Sequence, residues 1–188
     1  THVNQFADKS YYYVTTSGGS GKRIQAYIEP AVAPTLLMSN YDGYQFHELD
    51  LVNGGKIGRR WFGESFNVEE SQNFSFTLPN YVPGSAVNFF GDFAAVSFVT
   101  TSFKVKANNV EIGNVFINAA SGSALGFENI LNTTFTPANN SVSINLEYNN
   151  NGVPSSKGYL DYITLKYNAE LKGYGKQFLF SNNLVRTN

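Results

Sequence analysis

Between Asn73 and Pro79 the chain reads NFSFTLP, and between Ser141 and Tyr148 it reads SVSINLEY. Both stretches alternate apolar and polar residues without a break. Successive side chains of a β-strand point to opposite faces, so Phe74, Phe76 and Leu78 share one face, as do Val142, Ile144, Leu146 and Tyr148. Strands of this kind bury their apolar face only by packing against another layer, and that need limits the fold more than any other feature.

Other segments extend the pattern. YLDYITLKY (159–167) sets Tyr159, Asp161, Ile163, Leu165 and Tyr167 on one face and Leu160, Tyr162, Thr164 and Lys166 on the other. AVSFVTTSFKVKANNVEIGNVFI (95–117) reads as two or three strands with Asn108-Asn109 as a tight turn. YYYVTT, the glycine-rich SGGSGKR and RIQAYIE together read as a hairpin over residues 11–29. NNNGVPSSKG is a loop by every turn signal, and the longest helical candidate, NAELKGYGKQ, is weakened by two glycines. The expected fold is all-β: an antiparallel β-sandwich or jelly roll with one short C-terminal helix or turn, in a single domain over residues 1–188.

Composition agrees. Charged residues are 14 % of the chain against roughly 25 % in an average soluble domain. Asn, Ser, Thr, Gly, Tyr and Phe take their place, the mixture of twisted sheets joined by turns and a common surface on exported bacterial proteins. The formal net charge is −1 and there is no basic stripe, which argues against nucleic acid as a partner. No run approaches the ~20 apolar residues of a membrane-spanning helix. The absence of cysteine excludes disulfides, thiolate nucleophiles and Cys-based zinc or iron–sulfur sites.

SGGSGKR fails as a phosphate loop, because Thr16 stands where its first glycine belongs and Arg23 where Ser or Thr must follow the lysine. With only His2 and His47, a transition-metal site would rest on His47, Glu48 and Asp50. In FHELD, strand alternation sends His47 to one face and the two carboxylates to the other, which argues against such a site. No metal ligand set is assigned; a structural calcium would take oxygens from loops around Asp42 and Asp92. No nucleophile elbow is present, and no pair of carboxylates stands out for glycoside cleavage. Tyr41, Tyr44 and Trp61 are candidates for stacking on a sugar, although most aromatic rings follow the strand period and belong to the core. Asp161 shares its expected face with Ile163 and Leu165, so it requires an arginine or backbone N–H partner.

One block is denser than the rest. GKIGRRWFGESF (55–66) holds the single tryptophan, Trp61, with Arg59, Arg60 and Glu64 among glycines and aromatics. FHELDLVNGGKIGRRWFGESF, preceded by YYYVTTSGGSGKRI and followed by KGYLDYITLKY, resembles the region ahead of the catalytic domain in PorU-type proteins, the sortase-like members of the gingipain family of cysteine peptidases in Bacteroidota with a type IX secretion system. Gly58, Arg59, Trp61, Phe62, Gly63, Glu64 and Phe66 carry the resemblance; Gly54, Gly55 and Ile57 depart from the leucines and serine usual before the Gly-Arg pair. The resemblance implies a non-catalytic β-sandwich domain of a large exported, surface-associated protein, whose Cys-His peptidase domain follows Asn188. It implies as partners that peptidase domain, secreted cargo or secretion-machinery proteins, at the surface of a Gram-negative bacterium. The alternative is a carbohydrate-binding jelly roll with a glycan ligand. The candidate binding or interdomain residues are His47, Glu48, Asp50, Arg59, Arg60, Trp61, Glu64 and Asp161, with no catalytic residue and no cofactor. In the Trp61 block, Arg59 or Arg60 is expected to pair with Glu64, and the Trp61 ring to fill a corner of the core with its N–H bonded.

Overall fold

The turn at Asn108-Asn109 is the tip of one long, folded hairpin. The two asparagines have φ of 48° and 69°, the left-handed conformation that a two-residue hairpin turn requires. They join β5 (Thr101–Ala107) to β6 (Val110–Ile117). Moving outward from that tip, β4 (Val87–Val96) pairs with β7 (Phe127–Phe135), β3 (Ser71–Thr77) with β8 (Ser141–Asn149), and β1 (Asn40–Glu48) with β9 (Lys157–Glu170), all antiparallel. Cross-pairing of β4 with β9 and of β5 with β8 completes two sheets, ordered β1-β9-β4-β7 and β3-β8-β5-β6. A short β2 (Ser65–Phe66) also pairs with β9. This is the winding of a jelly roll.

These features come from a computed structural model that describes residues 13–26, 28, 31, 33, 36–53, 60–122 and 126–186. The chain divides into two units, Thr1–Leu37 and Met38–Asn188, and the sandwich lies in the second. In the first, the glycine-rich turn is present, with the Thr15 and Ser17 hydroxyls 2.7 Å apart. The expected hairpin strands are not formed over the described residues 13–26, and the rest of that stretch lies largely outside the described residues.

The alternation read from the sequence sets the core. Phe74, Phe76 and Leu78 from β3 and its end, and Val142, Ile144, Leu146 and Tyr148 from β8, are all buried. They meet Phe89 and Phe93 of β4 and Leu160, Ile163 and Leu165 of β9 from the opposite sheet. Phe103 sits at the centre, its ring centroid 4.9 Å from Phe93, 4.8 Å from Tyr148 and 5.1 Å from Phe66. The segment proposed as helical, NAELKGYGKQ, begins instead inside β9, because Tyr167 and Ala169 continue its buried face opposite Tyr41 and Gly43 of β1. The short helix is α1 (Asn183–Arg186), after the chain has run back along β1.

Candidate functional site

The Trp61 block belongs to an excursion from one edge of the first sheet. β1 ends with Glu48 opposite Tyr162, and β2 resumes the same edge of β9 with Ser65 opposite Tyr159. Between them the chain leaves and returns. Its two limbs are tied by Leu51 and Val52 N–H groups donating to Phe62 O and by Phe62 N donating to Val52 O, each at 2.8 Å. Gly63 N then donates to Leu160 O and Leu160 N to Glu64 O, which restores the ladder. A Cβ on Gly63 would sit 3.1 Å from the Leu49 carbonyl, so the glycine permits the limbs to pass closely.

His47 and Glu64 face each other across the mouth of the excursion, Nε2 to Oε1 at 2.7 Å. The imidazole also packs on Phe74 of the second sheet, centroids 4.9 Å apart. They border an open groove of about 480 Å³ between the edge strands β1 and β3, lined by residues 45–47, 64 and 72–77.

Arg60 lies over the outer face of the first sheet, where it gathers acids from three strands. Nε and Nη2 donate to Asp161 Oδ2 of β9 at 3.0 and 2.6 Å, and Nη2 donates to Asp92 Oδ2 of β4 at 2.8 Å. Nη1 donates to the Glu128 carboxylate of β7. The guanidinium carbon stands 5.5 Å from the centre of the Phe62 ring, which packs in turn on Tyr159. The side chains of Asp92 and Asp161 are 13 % and 15 % exposed, that of Glu128 59 %. Burial raises the Asp92 pKa above the usual carboxylate value; Arg60 opposes the shift and the Asp161 charge adds to it. Burial works against the Arg60 charge, yet its Asp161 hydrogen bond and the Asp92 and Asp161 charges hold its pKa above the ordinary value. The excursion thus carries one cation into a cluster that would otherwise hold three repelling anions.

A bulge explains why these acids meet. The β4–β9 register shifts between Asp92 and Phe93: Asp92 opposes Tyr162 and Phe93 opposes Leu160, so Asp161 is the extra residue. The shift brings both Leu160 and Ile163 into the core and leaves Asp161 on the outer face beside Asp92. The face shared with Ile163 and Leu165, expected from strict alternation, is corrected by that one residue. The arginine partner expected for Asp161 is there.

Other expectations are redistributed. Glu64 pairs with His47, whereas Arg60 engages Asp92, Asp161 and Glu128. Arg59 lies outside the described residues. Glu48 is half-buried on β1 and Asp50 is exposed beyond its end. Trp61 is half-buried, but its Nε1 has no hydrogen-bond acceptor. Tyr41 is buried under Phe178 and offers no face to a sugar; Tyr44 is 49 % exposed and stacks on the exposed Phe46, centroids 5.8 Å apart. The two proposed calcium loops are strands: Asp42 accepts from the Asn183 N–H, and Asp92 is held by Arg60. No group of three or more His, Asp or Glu among the described residues is arranged to hold a metal ion. Sequence reasoning missed Glu128 altogether. It named Asp92 for another role, although an acid inside VNFFGDFAAV signals a needed partner.

No protein-family model matches the chain, and no curated protein does. Among solved structures it is similar to dimeric latent PorU from Porphyromonas gingivalis, at 17 % identity and a TM-score of 0.69 over 83 % of this chain. It is also similar to a carbohydrate-binding module, CBM36, in complex with calcium and xylotriose (16 % identity, TM-score 0.42, 65 % of this chain and 98 % of the module). The CBM36-1 domain of a multidomain xylanase from the hindgut metagenome of Trinervitermes trinervoides scores 0.43 at 12 % identity, over 70 % of this chain and 98 % of that one. The PorU likeness is one of fold, and the chain spans about 15 % of the length of the PorU chain it resembles.

Proposed function

We propose that this chain is a non-catalytic β-sandwich domain of a larger exported, surface-associated cysteine peptidase of the secretion-sortase type, found in a Gram-negative bacterium of the Bacteroidota. It scaffolds or docks the catalytic domain that follows residue 188, or contacts cargo or secretion partners. The observation that carries the reading is the fold match over 83 % of the chain to one portion of PorU, in line with the resemblance read from residues 55–66. The chemistry of the described part of the excursion supports it, because Arg60 binds three acids of the sheet and Glu64 binds His47. Such an arrangement braces a loop against a sheet.

The test is the parent reading frame. It should continue past Asn188 into an α/β domain with a Cys-His pair, and the two domains, expressed as separate chains, should associate. Trp61→Ala should then weaken that association or lower the melting temperature of the sandwich while leaving peptidase chemistry intact. A frame that stops shortly after Asn188, or separate domains that ignore each other, would overturn the reading.

The exposed Tyr44–Phe46 ring pair favours one second reading, a glycan platform on the outer face of the first sheet. Affinity electrophoresis in soluble polysaccharides, with Tyr44→Ala and Phe46→Ala as controls, decides it. Retardation that both variants abolish supports it, and unretarded wild-type protein rejects it.

A further inference from the structure

A sandwich has four edge strands, and three of them here are guarded. The start of β1 is covered by the returning chain, with Asp42 N donating to Ser181 O at 2.8 Å and the Asn182 side chain donating to Asn40 O. β6 pairs with β5 through a register shift at Val105/Lys106, carries Glu111, and has its Phe116 carbonyl capped by the Asn129 side chain of β7. β7 carries Glu128, held by Arg60. Bulges, charges and covering segments of this kind keep edges from pairing with other chains.

Among the described residues, β3 has none of them. Its sequence, SQNFSFT, lacks charge and proline, and its register with β8 is unbroken from Ser71 to Thr77. Leu78 N donates to Asn140 O and Tyr148 N to Glu70 O, so even-numbered residues bond to β8 across the whole strand. The backbone groups of Ser71, Asn73, Ser75 and Thr77 therefore point away from the sheet. No backbone hydrogen bond from another described segment reaches them.

We propose that β3 is a self-association edge, through which two copies of this chain pair antiparallel about a two-fold axis at Phe74. The register is self-complementary. Asn73 opposes the partner's Ser75 and Ser71 opposes the partner's Thr77, so every outward-pointing residue meets another across a hydrogen-bonded pair. Phe74 faces its own copy at a non-hydrogen-bonded position, where side chains approach most closely. The short hydroxyl and amide side chains of the outer face meet one another, with no charge opposite a like charge. A second copy is favoured over a charged peptide, because neither β3 nor the groove beside it offers an unpaired charge to receive one; Glu64 is already bound to His47. The groove between β1 and β3, with its exposed Phe46, would be covered in the pair.

The test is sedimentation velocity on the 188-residue chain across a concentration series, with Ser75→Pro beside it. Proline at 75 removes an N–H that points outward and leaves the β8 ladder intact. The wild type should show a concentration-dependent dimer, and Ser75→Pro should weaken it about tenfold or more at unchanged circular dichroism. A wild type that stays monomeric, or a dimer untouched by Ser75→Pro, overturns the proposal. Because the native chain has no cysteine, a second experiment needs no proline variant. Asn73→Cys and Ser75→Cys proteins, mixed and oxidised, place thiols on Cα atoms ~5.5 Å apart in the proposed pair, within disulfide reach. Cross-linking should be faster in the mixture than in either variant alone; equal rates overturn the proposal.

Discussion

Replacing Arg60 with alanine tests the outer-face cluster directly. The substitution removes the cation and leaves Asp92, Asp161 and Glu128 facing one another. Losing one partner of a fully buried pair costs about 3–5 kcal/mol, chiefly because a buried charge is stranded. Here the Arg60 side chain is 39 % exposed and Glu128 59 %, so water screens part of the interaction and the Glu128 contact adds little. Asp92 and Asp161 are far better shielded. These considerations place the cost of Arg60→Ala at roughly 2–4 kcal/mol near neutral pH. For a domain of this size that lowers the melting temperature by roughly 5–10 °C. The cost should also depend on pH. Burial already holds the Asp92 pKa above its unfolded value, so its contribution to stability is present in acid and is lost as pH rises through the folded pKa. Without Arg60 the opposing pull is gone and that pKa rises further, making the variant lose still more stability towards neutrality. The gap between wild type and Arg60→Ala, measured by urea denaturation followed by circular dichroism, should therefore narrow as the pH falls through the range in which Asp92 is protonated. Arg60→Lys, which keeps the charge but loses the fork, should fall between the two. A gap under about 0.5 kcal/mol at pH 7, or one that does not change with pH, would refute the clamp.

Other consequences follow from the packing. Phe103→Ala opens a cavity among three rings and should cost about 3–5 kcal/mol by the same denaturation assay. Gly43→Ala should destabilise by about 1–3 kcal/mol, because its Cβ would lie 2.5 Å from the buried Tyr167 ring, and a neutral result would show that the ring can move aside. Burial pushes the Tyr167 phenol from 10.0 up to about 12. Its stabilising effect is complete below pH 10 and is lost as pH climbs towards about 12, so Tyr167→Phe should flatten the stability profile across that alkaline range. Glu64→Gln weakens the tie to His47 and should speed amide exchange in residues 49–53 and 60–66 more than in β8; uniform exchange would deny the pair its role.

The strands with strict alternation were legible because period two needs no tertiary information. β3 and β8 bury the residues that their patterns assign, and Asn108-Asn109 turns where a two-residue loop demands left-handed backbone. The edge formed by β1 and β2 was illegible, because it is one structural strand made from two stretches separated in sequence. Its continuity lies in β9, which pairs with both. The described residues 13–26 mislead for the opposite reason: the local propensity is strong, but propensity alone does not form a strand. At the site, the need of Asp161 for a partner was readable from a carboxylate among apolar strand residues. The identity of that partner was not. Arg60 lies 101 residues away in sequence, and Glu64, four residues from Arg60, is taken by His47 on the other side of the edge.

The position of Arg60 in the Trp61 block follows from the bulge. A single extra residue in β9 turns Asp161 outward and sets it beside Asp92, in a place where two carboxylates cannot both be comfortable without a cation. Neither lysine of β9 pairs at that position: Lys166 lies opposite Asn88 and Lys157 opposite Val96, on either side of Asp92. The cation arrives from outside the two strands, on Arg60, from a segment that leaves the edge after β1 and rejoins it at β2. Several residues at the described ends of the excursion then have a structural reason. Gly63 lets the limbs pass, His47 and Glu64 close the mouth, and Phe62 covers Tyr159 beneath the guanidinium. Catalytic loops concentrate such residues because chemistry needs them. For Arg60, the pairing of two strands is by itself a sufficient requirement. Removing the bulge should accordingly make Arg60 dispensable, whereas no change to the groove at His47 should do so.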